Sequence, residues 1–160
     1  MSGFVIYALP VAGGILAIAP MPGRGGYYAE DMAHLHDWRP ALVISMLSWP
    51  ELRATGHQAI GAELQDMGTR WMHVPVPDMD VPGLEAEEAW QVVSNAALSA
   101  LQGKGRVLIH CMGGCGRSGM AALRLMVEAG EVPGKALDRL RAVRPCAVET
   151  SDQLKWASKA

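Results

Sequence analysis

Apolar runs of strand length alternate along this chain with segments of helical period, and the alternation predicts an α/β domain. Residues 4–9 and 15–18 are β-prone runs flanking Pro10, Gly13 and Gly14, which predicts an N-terminal hairpin at a sheet edge. Residues 41–47 are almost continuously apolar, as a strand covered on both faces requires, and residues 71–76 and 106–109 are the next strand-length runs. Helical patterns lie between them. Tyr28, Met32, Leu35 and Trp38 share a face within residues 27–38, which Pro40 ends. Leu52, Ile60, Leu64 and Met67 follow within residues 51–67, divided by Gly56 and Gly61, with Gly68 as a C-cap. Residues 85–101 are the clearest amphipathic helix, with an acidic first turn and a stripe of Ala89, Val92, Val93, Ala96, Ala97, Ala100 and Leu101.

Residues 118–129 carry only Arg124 and Glu128 as charges, four apart, which reads as one solvent-facing line on an otherwise buried helix. Pro133 opens a helix on Ala136, Leu137, Leu140 and Val143 that Arg144 and Pro145 close, and Thr150 with Gln153 forms a capping box for a last helix through Leu154 and Trp156. The expected architecture is one domain over residues 1–160, with a central mixed, largely parallel sheet of about five strands and helices on both faces.

Composition narrows the partners. A formal net charge of −2 gives no bulk attraction for nucleic acid or an anionic membrane, so any affinity for anions must be local. Three cysteines and five histidines show no metal-ligand spacing, and the cysteines suggest no extracellular disulfide framework, which points to a reducing cytoplasm. No metal or cofactor is expected. Residues 1–20 are apolar, but they lack a basic leader and are interrupted by Pro10, Gly13 and Gly14, which argues against export.

Chemistry concentrates in HCMGGCGRSG, residues 110–119. A strand precedes it and a helix follows, so Gly113, Gly114 and Gly116 let the loop curl while the helix directs its positive end at the same point. Cys111 at the entrance and Arg117 at the exit then make a cup for a tetrahedral dianion, lined by the backbone N–H groups of Met112, Gly113, Gly114, Cys115 and Gly116. A thiolate at Cys111 can attack phosphorus; Ser118 can hydrogen-bond the sulfur or satisfy the helix N-terminus. The leaving group needs a proton. Asp78 and Asp80, in the loop PDMDVPG at a strand's carboxyl end, are the two candidates.

HC, five residues, then RS resembles the signature of the cysteine-dependent protein tyrosine and dual-specificity phosphatases. VPVPDMDVPG resembles the acid loop of small members of that superfamily, with Asp78 at the acid's position. VRPCAVETSDQLKW is similar to the segment after their last helix pair, and PMPGR to an early loop of the kinase-associated phosphatase group. The resemblance implies a protein phosphatase acting on phosphotyrosine, with phosphoserine and phosphothreonine as further candidates. It implies Cys111 as nucleophile, Arg117 as phosphate binder, Ser118 assisting thiolate departure, Asp78 as acid and then base, and His110 in support. A phosphoprotein is the expected partner, because residues 112–116 hold none of the basic side chains that phosphoinositide phosphatases place there.

Glu149 stands where many members of the superfamily carry a water-positioning Gln, and Gln153 is explained by its capping box. Cys115 is either a small loop filler or a resolving thiol for oxidised Cys111. The rival classes are a phosphoprotein-binding pseudophosphatase and a Cys-loop sulfurtransferase or arsenate reductase. Cys111 and Asp78 together weigh against the first, and the Asp with the Cys-to-Arg spacing against the second.

Overall fold

A computed structural model describes residues 3–159, so residues 1, 2 and 160 of the expected domain lie outside the described residues. The chain runs β1 (Tyr7–Val11), β2 (Gly14–Ala19), α1 (Tyr28–Asp37), β3 (Leu42–Ser45), α2 (Trp49–Thr55), α3 (Ile60–Asp66), β4 (Arg70–His73), α4 (Leu84–Gln102), β5 (Arg106–His110), α5 (Gly116–Glu128), α6 (Pro133–Val143) and α7 (Ser151–Ser158). The sheet order is β1-β2-β5-β3-β4. All pairings are parallel except β1 with β2, the expected edge hairpin. Its two turn residues, Ala12 and Gly13, both have positive φ (53° and 91°), the geometry that matches the twist of tight hairpins.

Alternate strand residues serve two cores. Ala17, Ala19, Val43 and Leu108 face Met32 and Leu35 of α1, Leu52 of α2, and Ile60 and Leu64 of α3. Leu16, Ile18, Leu42, Ile44, Val107 and Ile109 face α4 to α7. The fold class read from the sequence therefore holds, down to helices on both faces. No helix among the described residues is long and apolar enough to cross a membrane.

Three local expectations are corrected. The chain breaks between α2 and α3 at Gly56, which takes φ 78°, whereas Gly61 lies inside α3 with the Trp71 ring where a side chain would stand. The buried face of α4 is Ala86, Trp90, Val93, Ser94, Ala97 and Leu101, while Val92 is exposed; Trp90 fixes the helix rotation by packing edge-on against Trp156. Arg124 and Glu128 are not solvent-facing. Their side chains are 12% and 20% exposed, and Arg124 lies against α7, over the Trp156 ring at 4.7 Å and donating to the Trp156 carbonyl at 2.7 Å.

Candidate active site

Parallel strands aim their carboxyl ends at one edge of the sheet, and three of those ends converge here. β5 delivers His110 and Cys111, β3 leads into α2, and β4 leads into the acid loop. β5 then turns through residues 112–115 into α5. At Gly114, φ is 74° and an added methyl would meet the Ala19 and Pro20 backbone at 2.7 Å, so the loop passes β2 at a distance that glycine alone permits.

The loop is held from outside. The carbonyl of Met112 accepts from Met21 N–H at 3.0 Å, and that of Cys115 from Val148 N–H at 3.2 Å. Arg144 donates from Nη2 to the Gly113 carbonyl at 3.0 Å and from Nε to the Gly114 carbonyl at 3.1 Å. Across a planar trans peptide the N–H points opposite to the C=O. Fixing four consecutive carbonyls outward therefore turns the N–H groups of residues 113–116 toward the interior of the cup. Among the described residues, none of the N–H groups from Met112 to Arg117 is used in a main-chain turn or loop bond.

At the base, Cys111 is 3% exposed and its sulfur lies 3.2 Å from the Ser118 hydroxyl. Arg117 is buried, and three of its five N–H donors are committed. Nη1 gives one to Glu51 Oε1 at 2.6 Å and one to the Val76 carbonyl at 2.8 Å, and Nη2 gives one to Glu51 Oε2 at 2.9 Å. Nε–H and the second Nη2–H remain, on one edge of the guanidinium, the pair of donors that two oxygens of a tetrahedral anion require. Burial disfavours the Arg117 charge, but the hydrogen bond to Glu51, with Cys111 and Asp78 adding, outweighs it and raises the guanidinium pKa. Burial likewise pushes Glu51 upward, and the hydrogen bonds from Arg117 and Ser48 overcome it and hold the carboxyl below its ordinary value.

Glu51 was not singled out in the sequence, although its signal was there. Ser48 caps α2 with Glu51 in a full capping box, Glu51 Oε1 accepting from Ser48 N–H at 3.1 Å and Ser48 Oγ–H at 2.9 Å. That cap sits at the end of β3, beside the loop that follows β5, so the carboxylate spans from one strand end to the next.

His110 is buried, and its surroundings fix its tautomer. Nδ1 faces the Cys111 carbonyl at 3.4 Å, which can only accept, so Nδ1 carries the hydrogen and Nε2 accepts from Ser45 Oγ–H. Trp71 Nε1–H donates in turn to Ser45 Oγ at 2.8 Å. Burial, partly opposed by the Cys111 carbonyl, lowers the His110 pKa to about 4, so the ring is neutral.

The two candidate acids separate in space. Asp78 is exposed over the cup, with Oδ1 3.4 Å from Arg117 Nη2. Asp80 turns back to accept from Val81 N–H at 2.8 Å, and its carbonyl accepts from Gln153 Nε2 at 3.2 Å. Gln153 Oε1 also accepts from Glu149 and Thr150 N–H, so this side chain caps α7 and ties it to the acid loop. Glu149 lies against Gly116, where an added methyl would collide with its carboxylate.

The cysteine reading needs correction. Cys115 and Cys146 form a disulfide, so Cys115 is neither a free filler nor the resolving thiol of Cys111, which is the free cysteine. The turn after α6 swings back along the outer wall of the loop, as the Arg144 and Val148 bonds show, and so carries Cys146 to Cys115; no sequence spacing announces that return.

A family model described as "Polymorphic toxin system, DSP-PTPase phosphatase" matches residues 24–131. The chain belongs to this phosphatase family. Among curated proteins, the DSP-PTPase chain is 34% identical over 94 residues to "Cyclin-dependent kinase inhibitor 3" of Mus musculus and 33% identical over 95 residues to its Rattus norvegicus counterpart. Each match covers 58% of this chain and 43% of the relative, less than half the relatives' length. Among solved structures, kinase associated phosphatase with its catalytic-site cysteine changed to serine superposes with a TM-score of 0.85 at 21% identity, over 98% of this chain and 93% of the other. Tk-PTP in its active form gives 0.71 at 26% identity, over 94% and 92%. The dual-specificity phosphatase family and the phosphatase fold named from the motifs therefore hold, and the likeness to kinase associated phosphatase is one of fold.

Proposed function

We propose that this chain hydrolyses phosphomonoesters on phosphoproteins, phosphotyrosine foremost and phosphoserine or phosphothreonine besides, through a cysteinyl-phosphate. The observation that carries the reading is the Arg117 guanidinium. Glu51 and Val76 hold it so that one edge keeps two donors for phosphate oxygens, beside the Cys111 sulfur and below Asp78.

In the first step the Cys111 thiolate attacks phosphorus. The ester P–O bond breaks, its electron pair stays on the leaving oxygen, and Asp78 supplies the proton. Charge building on the equatorial oxygens meets Nε–H and Nη2–H of Arg117 and the inward N–H groups of residues 113–116. In the second step the Asp78 carboxylate takes a proton from water as that oxygen attacks phosphorus. The P–S bond breaks, and Ser118 donates to the departing thiolate across the 3.2 Å contact. Neutral His110 orients the Cys111 peptide and takes no proton. The mouse relative's name ties that protein to a kinase, which supports a phosphoprotein substrate, as does the lack of basic side chains in residues 112–116.

Hydrolysis of para-nitrophenyl phosphate and of matched phosphopeptides across pH tests the proposal. Cys111→Ser should abolish turnover, and Asp78→Asn should remove the limb that needs an acid while Asp80→Asn keeps it. Peptide turnover without tyrosine activity would refute the substrate class, and loss of the limb in Asp80→Asn alone would move the acid.

A further inference from the structure

Arg24 is an exposed guanidinium with no hydrogen bond or ion pair among the described residues. The backbone that carries it is nevertheless fixed. Arg24 N–H donates to the Met21 carbonyl at 3.1 Å, Gly26 N–H to the Gly23 carbonyl at 2.9 Å, and Gly23 N–H to the buried Asp31 carboxylate at 2.7 Å. Met21 in turn bonds Met112 of the phosphate loop, which ties this turn to the cup. The guanidinium covers the rim of the cup, with Nη1 3.3 Å from where a methyl on Gly113 would stand.

Three cavities meet at Arg24. One of about 300 Å³ is the mouth of the cup, shared with Asp78, Met79, Gly113 and Glu149. A second, of about 330 Å³, runs toward Tyr7 and Pro20, and a third, of about 270 Å³, toward Thr55 and His57. Arg144 lines the first two, with three of its five donors spent on the loop carbonyls and the Tyr7 hydroxyl. It adds positive field while Arg24 keeps its donors.

We propose that Arg24 is a specificity-determining residue that binds a second anionic group, a phosphate or carboxylate, carried by the peptide whose phosphoester lies in the cup. The inference rests on the phosphoprotein reading of the active site. An exposed guanidinium with all its donors free, beside a tetrahedral-anion site and backed by the charge of Arg144, suits one further anion in bidentate geometry. A membrane surface requires a cluster of cations, whereas Arg24 and Arg144 are the two basic side chains described at this mouth.

The test uses the full chain and a phosphotyrosine peptide in three forms: neutral flanks, glutamates two residues to either side, and phosphoserine at those positions. Wild type should prefer at least one anionic form in kcat/KM by about tenfold, the scale of one charge-assisted contact at a partly desolvated rim. The preference should shrink with salt, collapse toward unity in Arg24→Met, and return in part in Arg24→Lys. The glutamate and phosphoserine forms distinguish the two sources of charge.

Binding of the same peptides to Cys111→Ser, with and without Arg24→Met, is read separately from turnover. If no peptide is hydrolysed, the phosphatase reading fails while the binding comparison still decides the role of Arg24. An undiminished preference for the anionic forms in Arg24→Met overturns the proposal. So does a loss confined to vesicles of phosphatidylcholine with phosphoinositide, which would assign Arg24 to a lipid headgroup.

Discussion

Breaking the Cys115–Cys146 disulfide should cost this small domain a large share of its stability. The bond joins residues 31 apart and so closes a loop of that order in the unfolded chain. Loop-closure entropy for about 31 residues is roughly 12 cal/mol/K, or about 4 kcal/mol at 25 °C, within a typical total of about 5–15 kcal/mol. For a chain of this size each kcal/mol moves Tm by roughly 2–4 °C, so the expected drop is roughly 8–15 °C. Thermal unfolding by circular dichroism measures it on wild type and on Cys115→Ala/Cys146→Ala, each with and without a phosphine reductant. Reduction should lower the wild-type Tm toward that of the double variant and leave the variant unmoved. The variant retains Cys111, so it also controls for any effect of reductant on that thiol. If oxidised wild type and the variant melt within about 2 °C of each other, or if reductant shifts both alike, the bond does not brace the loop and the reasoning fails.

Two further outcomes follow from groups around the cup. Glu51→Gln keeps the capping-box pattern with Ser48 but removes the carboxylate that orients Arg117, so kcat/KM on para-nitrophenyl phosphate should fall by about a hundredfold; a change within twofold would show that Val76 alone positions the guanidinium. His110 has a folded pKa of about 4, below its ordinary 6.5, so its contribution to stability is fully present above pH 6.5 and is lost as pH falls through 4. That is on the order of 3 kcal/mol, and urea titrations at pH 7, 5.5 and 4.5 should show a shallower pH slope for His110→Asn than for wild type; parallel slopes would refute the assignment.

The candidate site was legible in the sequence wherever its parts are contiguous. Cys111, Arg117 and Ser118 sit within one loop whose strand and helix flanks announce it, and Asp78 was marked by its place at a strand end. The edge hairpin and the two-faced sheet followed from runs and turns of a few residues. What escaped was assembled across the sheet. Ser45 reaches His110 because β3 pairs beside β5 in register, and Trp71 reaches Ser45 because β4 pairs beside β3. No local pattern in residues 45, 71 or 110 contains that order. Arg144 read as a helix stop because its partners, the carbonyls of Gly113 and Gly114, lie thirty or so positions away. Glu51 was recoverable, since Ser48 and Glu51 spell a helix cap at a strand's carboxyl end, where the phosphate loop of the neighbouring strand also lies.

The outward anchoring of the loop carbonyls also bears on what can be transplanted. The curve of HCMGGCGRSG is not stored in those ten letters; much of it resides in Met21, Arg144, Cys146 and Val148, which grip the segment from behind. A graft of the motif into another strand-loop-helix scaffold would carry the thiol and the guanidinium but not the mould. The inheritable unit of this chemistry is the loop together with its backing.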